Sequence, residues 1–267
     1  MTKDQPSSQW ALILGASSGF GAACAAALSR AGLNIFGVHL DRKSTMSNVD
    51  SVVADIESVG RSALFFNANA AADDERANIV RAMNQRLTED NGFVRVMLHS
   101  LAFGSVRPYV RGSGDANITR AQMEMTLDVM ASSLVYWSQD LLAHNMLRRG
   151  SRIFAMTSAG STKVWPSYGA VSSAKAALES NIRQLATELA PMGITCNALR
   201  AGVTDTPALR KIPEHERMLE IASARNPSGR LTLPQDVADA VVSLMDSGTH
   251  WITGNVVAVD GGEFVVD

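Results

Sequence analysis

Ser158, Tyr168 and Lys175 form a set of side chains whose spacing points to proton-transfer chemistry. Ser158 follows the apolar run Ile153-Phe-Ala-Met156, which reads as a buried strand, and Lys175 opens Ala176-Ala-Leu-Glu-Ser-Asn-Ile-Arg-Gln-Leu, which reads as a helix. Pro166 followed by Ser167 predicts the helix start, with Ser167 as the capping residue. At 100° per residue, Tyr168 and Lys175 differ by only about 20° in direction and stand roughly 10 Å apart along the axis. A phenol, an ammonium and a hydroxyl on one cleft can hold and pass a proton, provided a neighbouring cation helps a tyrosine whose free pKa is near 10. Singly, each residue has a plainer role: a packing tyrosine, a solvated lysine, a serine bonded to backbone at a strand end. Only a cofactor beside them lifts the set above that.

The chain has 267 residues, 46% of them hydrophobic, and a net charge of −2. That suffices for a large core in a single α/β domain. The charge balance gives no reason to expect nucleic acid or an anionic membrane as partner. Cys24 and Cys196 lie in apolar segments and read as reduced packing residues, which points to the cytoplasm. Residues 1–9 read as a polar tail without a signal-peptide core, no run approaches the length of a membrane span, and no metal site is predicted.

Trp10-Ala-Leu-Ile-Leu14 is a short apolar run ended by Gly15-Ala-Ser17-Ser18-Gly19-Phe20-Gly21, and Ala22-Ala-Cys-Ala-Ala-Ala-Leu28 is a strong helix former. Strand, glycine turn and helix open a dinucleotide-binding βαβ unit, in which glycines let backbone N–H groups approach a pyrophosphate. The spacing is Gly-x3-Gly-x-Gly. Further strands are predicted at Asn34–His39, Ser62–Phe66, Phe93–Leu98, Ile153–Met156, Gly193–Ala198 and Asn255–Val259. Helices are predicted between them, including a long one over 119–148, with a surface loop beside the cleft over 104–117. The position that accepts from the ribose 2′-hydroxyl in NAD-specific enzymes falls on His39, which is not acidic, and Arg42 and Lys43 supply two cations for a 2′-phosphate. NADPH is therefore preferred over NADH, with Asp41 leaving the alternative open.

With these pieces in order, the chain resembles the short-chain dehydrogenase/reductase family over essentially its whole length. The resemblance rests on Gly15-x3-Gly19-x-Gly21, the Asn69 turn, Ser158, Lys175, Asn197-Ala-Leu-Arg-Ala-Gly202 and Val259-Asp-Gly-Gly262. It implies an α/β fold, a Rossmann-type doubly wound sheet of seven mainly parallel strands with helices on both faces, as a single domain over 10–267. It also implies that Asn69 and Ala70 line the adenine pocket and that Ser100 lies on the cofactor site. Lys175 would bond the ribose, and Gly202, Thr204 and Thr206 would sit beside the nicotinamide amide and phosphates. The commonest family pattern, Tyr-x3-Lys, would put the tyrosine at 171, which is Val171. Tyr168-x6-Lys175 is instead the mark of the enoyl-acyl-carrier-protein reductase branch, and His99-Ser100-Leu-Ala-Phe103 looks like the same branch. The asparagine of many family ketoreductases would fall near Met130. Many bacterial enoyl reductases carry a second tyrosine ten residues before the first. Serine stands there in this chain, as in a smaller NADPH-dependent group.

The resemblance implies NADPH-dependent reduction of an enoyl thioester, with Tyr168 and Lys175 catalytic and Ser158 a secondary polar contact. It further implies a helical substrate lid at about 205–230, an acyl thioester substrate on acyl carrier protein in fatty acid biosynthesis, and a homotetramer. A carbonyl or alcohol oxidoreductase of the same family is the first alternative, and a catalytically silent NADP-binding sensor the second.

Overall fold

The computed structural model describes residues 8–110 and 117–266. Seven strands form one sheet: β1 (Gln9–Leu14), β2 (Asn34–His39), β3 (Ala63–Asn67), β4 (Phe93–His99), β5 (Arg152–Thr157), β6 (Thr195–Ala201) and β7 (Val256–Val259). Their order is β3-β2-β1-β4-β5-β6-β7, and every neighbouring pair is parallel. The chain reverses its direction of travel across the sheet between β1 and β4. A crevice opens there, above the carboxyl ends of the strands, where open α/β sheets bind ligands.

Both faces of the sheet are covered, which is why the strands read as unbroken apolar runs rather than alternating ones. In β1, Trp10, Leu12 and Leu14 point to one face, and Ala11 and Ile13 to the other. The first set packs against α3 (Asp73–Glu89), α5 (Ser133–Ala143) and α6 (Gly169–Leu189) through Met83, Trp137 and Ile182. The second packs against α1 (Gly19–Arg30), α2 (Met46–Ser58) and α8 (Pro234–Met245) through Leu28, Ile56 and Val241. Each such side chain contributes roughly 2 kcal/mol of burial. Cys24 and Cys196 are buried free thiols, and burial pushes both up to about 12.

Several expected boundaries need correction. Residues 1–7 lie outside the described residues, and the polar tail ends before residue 9, because Gln9 belongs to β1 and the Ser8 carbonyl already accepts from Phe93 N. The single helix expected over 119–148 is α4 (Arg120–Leu127), a π turn over Asp128–Ser132, and α5. Ser167 does not cap α6. Its φ is 62°, Tyr168 is the residue at the cap, and no side chain closes the first turn. In the 104–117 loop, residues 111–116 lie outside the described residues. Over 205–230 a 3-10 turn, Leu209–Lys211, precedes α7 (His215–Arg225), whose only buried residue is Ala222.

Candidate active site

The glycine turn joins β1 to α1 by close backbone approach. A Cβ on Gly21 would lie 1.9 Å from the Gly15 carbonyl oxygen, and one on Gly15, where φ is 91°, would lie 2.6 Å from the Ser100 carbonyl oxygen. Ser18 occupies the cap of α1 in an extended conformation, and its side chain caps none of the first N–H groups. Gly19, Phe20 and Gly21 thus begin a helix whose positive end is left for an external anion. This cradle fits a dinucleotide pyrophosphate.

At the carboxyl end of β2, Asp41 reaches the glycine turn through Ser17. Against burial, which pushes it up, hydrogen bonds from Ser17, Thr45 and His39 hold its carboxyl below the usual range. His39 Nδ1 is 3.0 Å from Asp41 Oδ2. Asn67 locks the backbone there by accepting from Asp41 N and donating to Asp41 O, both at 3.0 Å. Arg42 and Lys43 follow, exposed at the start of a 3-10 turn. Asn69 is folded into its own turn: its side-chain oxygen accepts from Ala71 N at 3.1 Å, and its N–H bonds to Glu75.

At the other end, β5 and α6 place Ser158, Tyr168 and Lys175 together. Ser158 Oγ accepts from Gly160 N at 2.9 Å, which leaves its hydroxyl hydrogen for the Tyr168 phenol. Burial pushes the phenol above its ordinary value, and the Ser158 bond opposes that rise. A neutral phenol on a cleft is a hydrogen-bond donor for an oxygen that gains negative charge. Gly160 carries the ring: a Cβ there would lie 2.5 Å from the Tyr168 ring. Lys175 is 5% exposed and donates to the Met156 carbonyl at 2.7 Å. Burial lowers its ammonium to about 8, with the nearby Glu179 opposing the shift. Glu179 is itself held by Thr157 Oγ1 at 2.6 Å.

His99, at the end of β4, is fully buried with Nε2 2.9 Å from Ser133 Oγ. Ser133 Oγ donates to Val129 O, so the network assigns the ring proton to Nε2. Burial first, then the charge of Lys175, lower this imidazole to about 3, so it is neutral at any working pH. It is a wall of the site rather than a base. Met130 lies in the π turn, where Asn181 Nδ2 reaches the Ala131 carbonyl at 3.1 Å. Val171, 5% exposed, packs with Val129, Met130 and Ala174 in an apolar cluster that Tyr168 borders.

The loop after β6 brings the last expected residues to the crevice. Thr204 and Thr206 are buried, the Thr206 methyl lies 3.5 Å from a Cβ placed on Gly19, and Thr206 Oγ1 accepts from Leu209 N at 3.2 Å. Gly202 is enclosed, since a Cβ there would lie 2.3 Å from Thr232 Oγ1. Two shallow, half-open depressions of about 310 and 300 Å³ lie elsewhere, one around Asn226 and Asp260 and one between α3 and α5. The open crevice along the strand ends, not either depression, collects the groups able to do chemistry. Among the described residues, no cluster of three or more His, Cys, Asp or Glu could hold a metal ion, and no helix is long and apolar enough to cross a membrane.

Three contributors had no sequence signal: Gly160 under the Tyr168 ring, Asn181 on the π turn, and Tyr109, which packs on Gly169 and bonds Ser173 Oγ at 2.9 Å. Asn181 and Tyr109 act across contacts between segments fifty or more residues apart, and Gly160 across the loop that precedes α6.

A doubly wound parallel sheet with a glycine cradle at its switch point, and a tyrosine–lysine pair beside it, defines a nicotinamide-dependent oxidoreductase. The profile of the enoyl-(acyl carrier protein) reductase family matches residues 15–263. The chain belongs to the short-chain dehydrogenase/reductase family, in its enoyl-acyl-carrier-protein reductase branch. It is 31% identical over 187 residues to the enoyl-[acyl-carrier-protein] reductase [NADH] FabI of Aquifex aeolicus, covering 70% of this chain and 68% of that one. It is 28% identical to the 1-cyclohexenylcarbonyl-CoA reductase of Streptomyces collinus, over 97% of this chain and 88% of that one. The solved structure of the reductase LugOII, described as catalysing keto-reduction at C1 during lugdunomycin biosynthesis, superimposes with a TM-score of 0.81 at 27% identity, over 97% and 98% of the two chains.

Proposed function

We propose that this protein reduces the 2,3-double bond of an enoyl thioester with NADPH, as an enoyl-acyl-carrier-protein reductase of fatty acid biosynthesis. The observation that carries the reading is the placement of the Tyr168 phenol, bonded to Ser158 one turn before Val171, while Val171 itself is sealed in an apolar cluster. A nicotinamide dinucleotide held by the glycine turn and Lys175 would supply a hydride for the β-carbon of the conjugated thioester. The π electrons then move onto the thioester oxygen as an enolate. Tyr168 donates a hydrogen bond to that oxygen, Lys175 holds the ribose and keeps positive charge nearby, and Ser158 orients the phenol. A proton passed on by the Tyr168 hydroxyl, and restored to it from solvent, would go to the α-carbon and complete the saturated thioester. His99 and the Met130 cluster exclude water from the back of the site.

On the cofactor, Arg42 and Lys43 draw a 2′-phosphate and the ionised Asp41 opposes it. The preference for NADPH is therefore modest. The relatives named for NADH are consistent with an adenosine pocket that has an acidic group at its edge. Residues 205–230 would form the substrate lid, with Leu209, Ile212, Met218 and Leu219 half-buried and available to cover an acyl chain. An acyl-carrier-protein-borne substrate, a homotetramer and a cytoplasmic setting follow from the family likeness.

A second reading, reduction of a carbonyl, is favoured by the keto-reduction ascribed to LugOII. A paired assay separates the two: crotonyl and acetoacetyl thioesters, each with NADPH and with NADH, on the wild type and on Tyr168→Phe. The expected result is turnover of crotonyl thioester, faster with NADPH, that drops about 100-fold in Tyr168→Phe. Turnover of acetoacetyl thioester alone would establish the carbonyl reading, and undiminished turnover by a folded Tyr168→Phe protein would remove Tyr168 from the mechanism.

A further inference from the structure

We infer that Glu263 is a positioning residue that clamps both ends of the 205–230 lid, so that seating of the lid and placement of the cofactor loop are set by one buried carboxylate. The inference rests on the lid and cofactor reading above. Glu263 follows the Asp260-Gly261-Gly262 turn after β7 and is 3% exposed. One oxygen, Oε2, accepts from Val203 N at 2.9 Å, on the loop that leads from Gly202 into Thr204 and Thr206. The other, Oε1, lies 3.7 Å from Arg225 Nη2, at the last residue of α7. The entry and the exit of the excursion therefore meet on a single side chain.

The surroundings admit little play. A Cβ on Gly202 would lie 2.8 Å from Glu263 Oε2, so the loop backbone rests directly on the carboxylate. The exit is pinned beside it, where Asn226 Nδ2 donates to Asp260 O at 2.9 Å and Ser228 Oγ to Gly261 O at 3.2 Å. Between these anchors α7 buries only Ala222. Apart from the Pro213 carbonyl, which accepts from Trp165 Nε1 at 3.2 Å, the segment has few ties along its length and takes its position largely from its ends. Burial of an acidic group is costly unless it is partnered, and this one has a backbone N–H and a cation, one from each end of the lid.

The two partners can be separated by substitution in the full-length protein. Glu263→Gln keeps an acceptor for Val203 N and loses the charge that faces Arg225, whereas Glu263→Ala loses both. Arg225→Met removes the cation alone. Four quantities are measured: NADPH affinity by nucleotide fluorescence, KM and kcat with crotonyl-CoA, and the rate of tryptic cleavage at Lys211 and Arg217 relative to sites outside the lid. Glu263→Gln and Arg225→Met are expected to leave NADPH affinity within about twofold, raise KM up to about fivefold and speed cleavage at those two sites alone. Their double variant is expected to be no worse than either single one. Glu263→Ala is expected to weaken NADPH binding about tenfold as well. The inference is overturned if Gln and Ala behave alike, if the double variant is additive, or if cleavage accelerates throughout the chain. A wild type inactive on crotonyl-CoA would count against the enoyl reading, while the fluorescence and cleavage results would still decide the role of Glu263.

Discussion

The two sides of the crevice are built differently. On the β5 and α6 side, each polar group is held by a named partner: Lys175 by Met156 O, Glu179 by Thr157, Ser158 by Gly160 N, and the Tyr168 ring by the face of Gly160. On the 205–230 side, α7 has one buried residue, and its larger apolar side chains stand half-buried or, like Ile221, exposed. The first side is a rigid seat for charge and proton placement. The second, under the proposed function, would be an adaptable cover able to meet an acyl chain at little cost. Precision is invested where a transition state must be matched, and looseness where a substrate must enter and leave.

Three experiments would break or sharpen that contrast. The largest effect belongs to Gly160→Ala, because the added methyl would meet the Tyr168 ring at 2.5 Å. A displacement of that order costs about 100-fold in kcat, with the melting temperature little changed. A kcat within threefold of wild type would mean that the seat is not rigid. The second tests Lys175. Because burial lowers its ammonium to about 8, rising pH removes the positive charge from the cofactor-free enzyme. Above that point kcat/KM for the dinucleotide should fall about tenfold per pH unit, with the charge intact and the rate flat below it. A profile level to pH 10 would show that the charge is not needed. The smallest effect is expected from Leu219→Ala on α7, which should raise the thioester KM about threefold at constant kcat. A loss in kcat equal to that of Gly160→Ala would erase the distinction between seat and cover.

Much of this architecture is legible in the residues themselves. Strands buried on both faces have to be apolar throughout, so runs such as Trp10–Leu14 and Ile153–Met156 announce a covered parallel sheet, and the glycine turn announces its switch point. The displacement of the tyrosine from 171 to 168 is a matter of counting. Local rules failed where tertiary contacts decide. Ser167 looks like a cap, yet its backbone turns left-handed to deliver Tyr168 to the cleft. The π turn at Asp128–Ser132 leaves no mark in hydrophobic periodicity, because its backbone is completed by Asn181 about fifty residues on. Asp41 was visible as a charge, but its direction depends on Ser17, Thr45 and Asn67, which three different segments contribute. Glu263 carries no motif that singles it out, and the fold buries it.

Val171 carries a consequence for how this chain can change. A ketoreductase of the family would have its phenol at that position, and here the position is filled by an isopropyl group wedged against Met130, Val129 and Ala174, with Gly104 pressed over it. Moving the phenol by mutation would insert a ring where a methyl is already tight, and the neighbours on the π turn would have to shrink in the same generation. On the enoyl reading proposed above, a change to carbonyl chemistry at this position would pass through poorly packed intermediates. Divergence between the two should therefore leave its trace in several small interior residues changing together, not in the tyrosine alone.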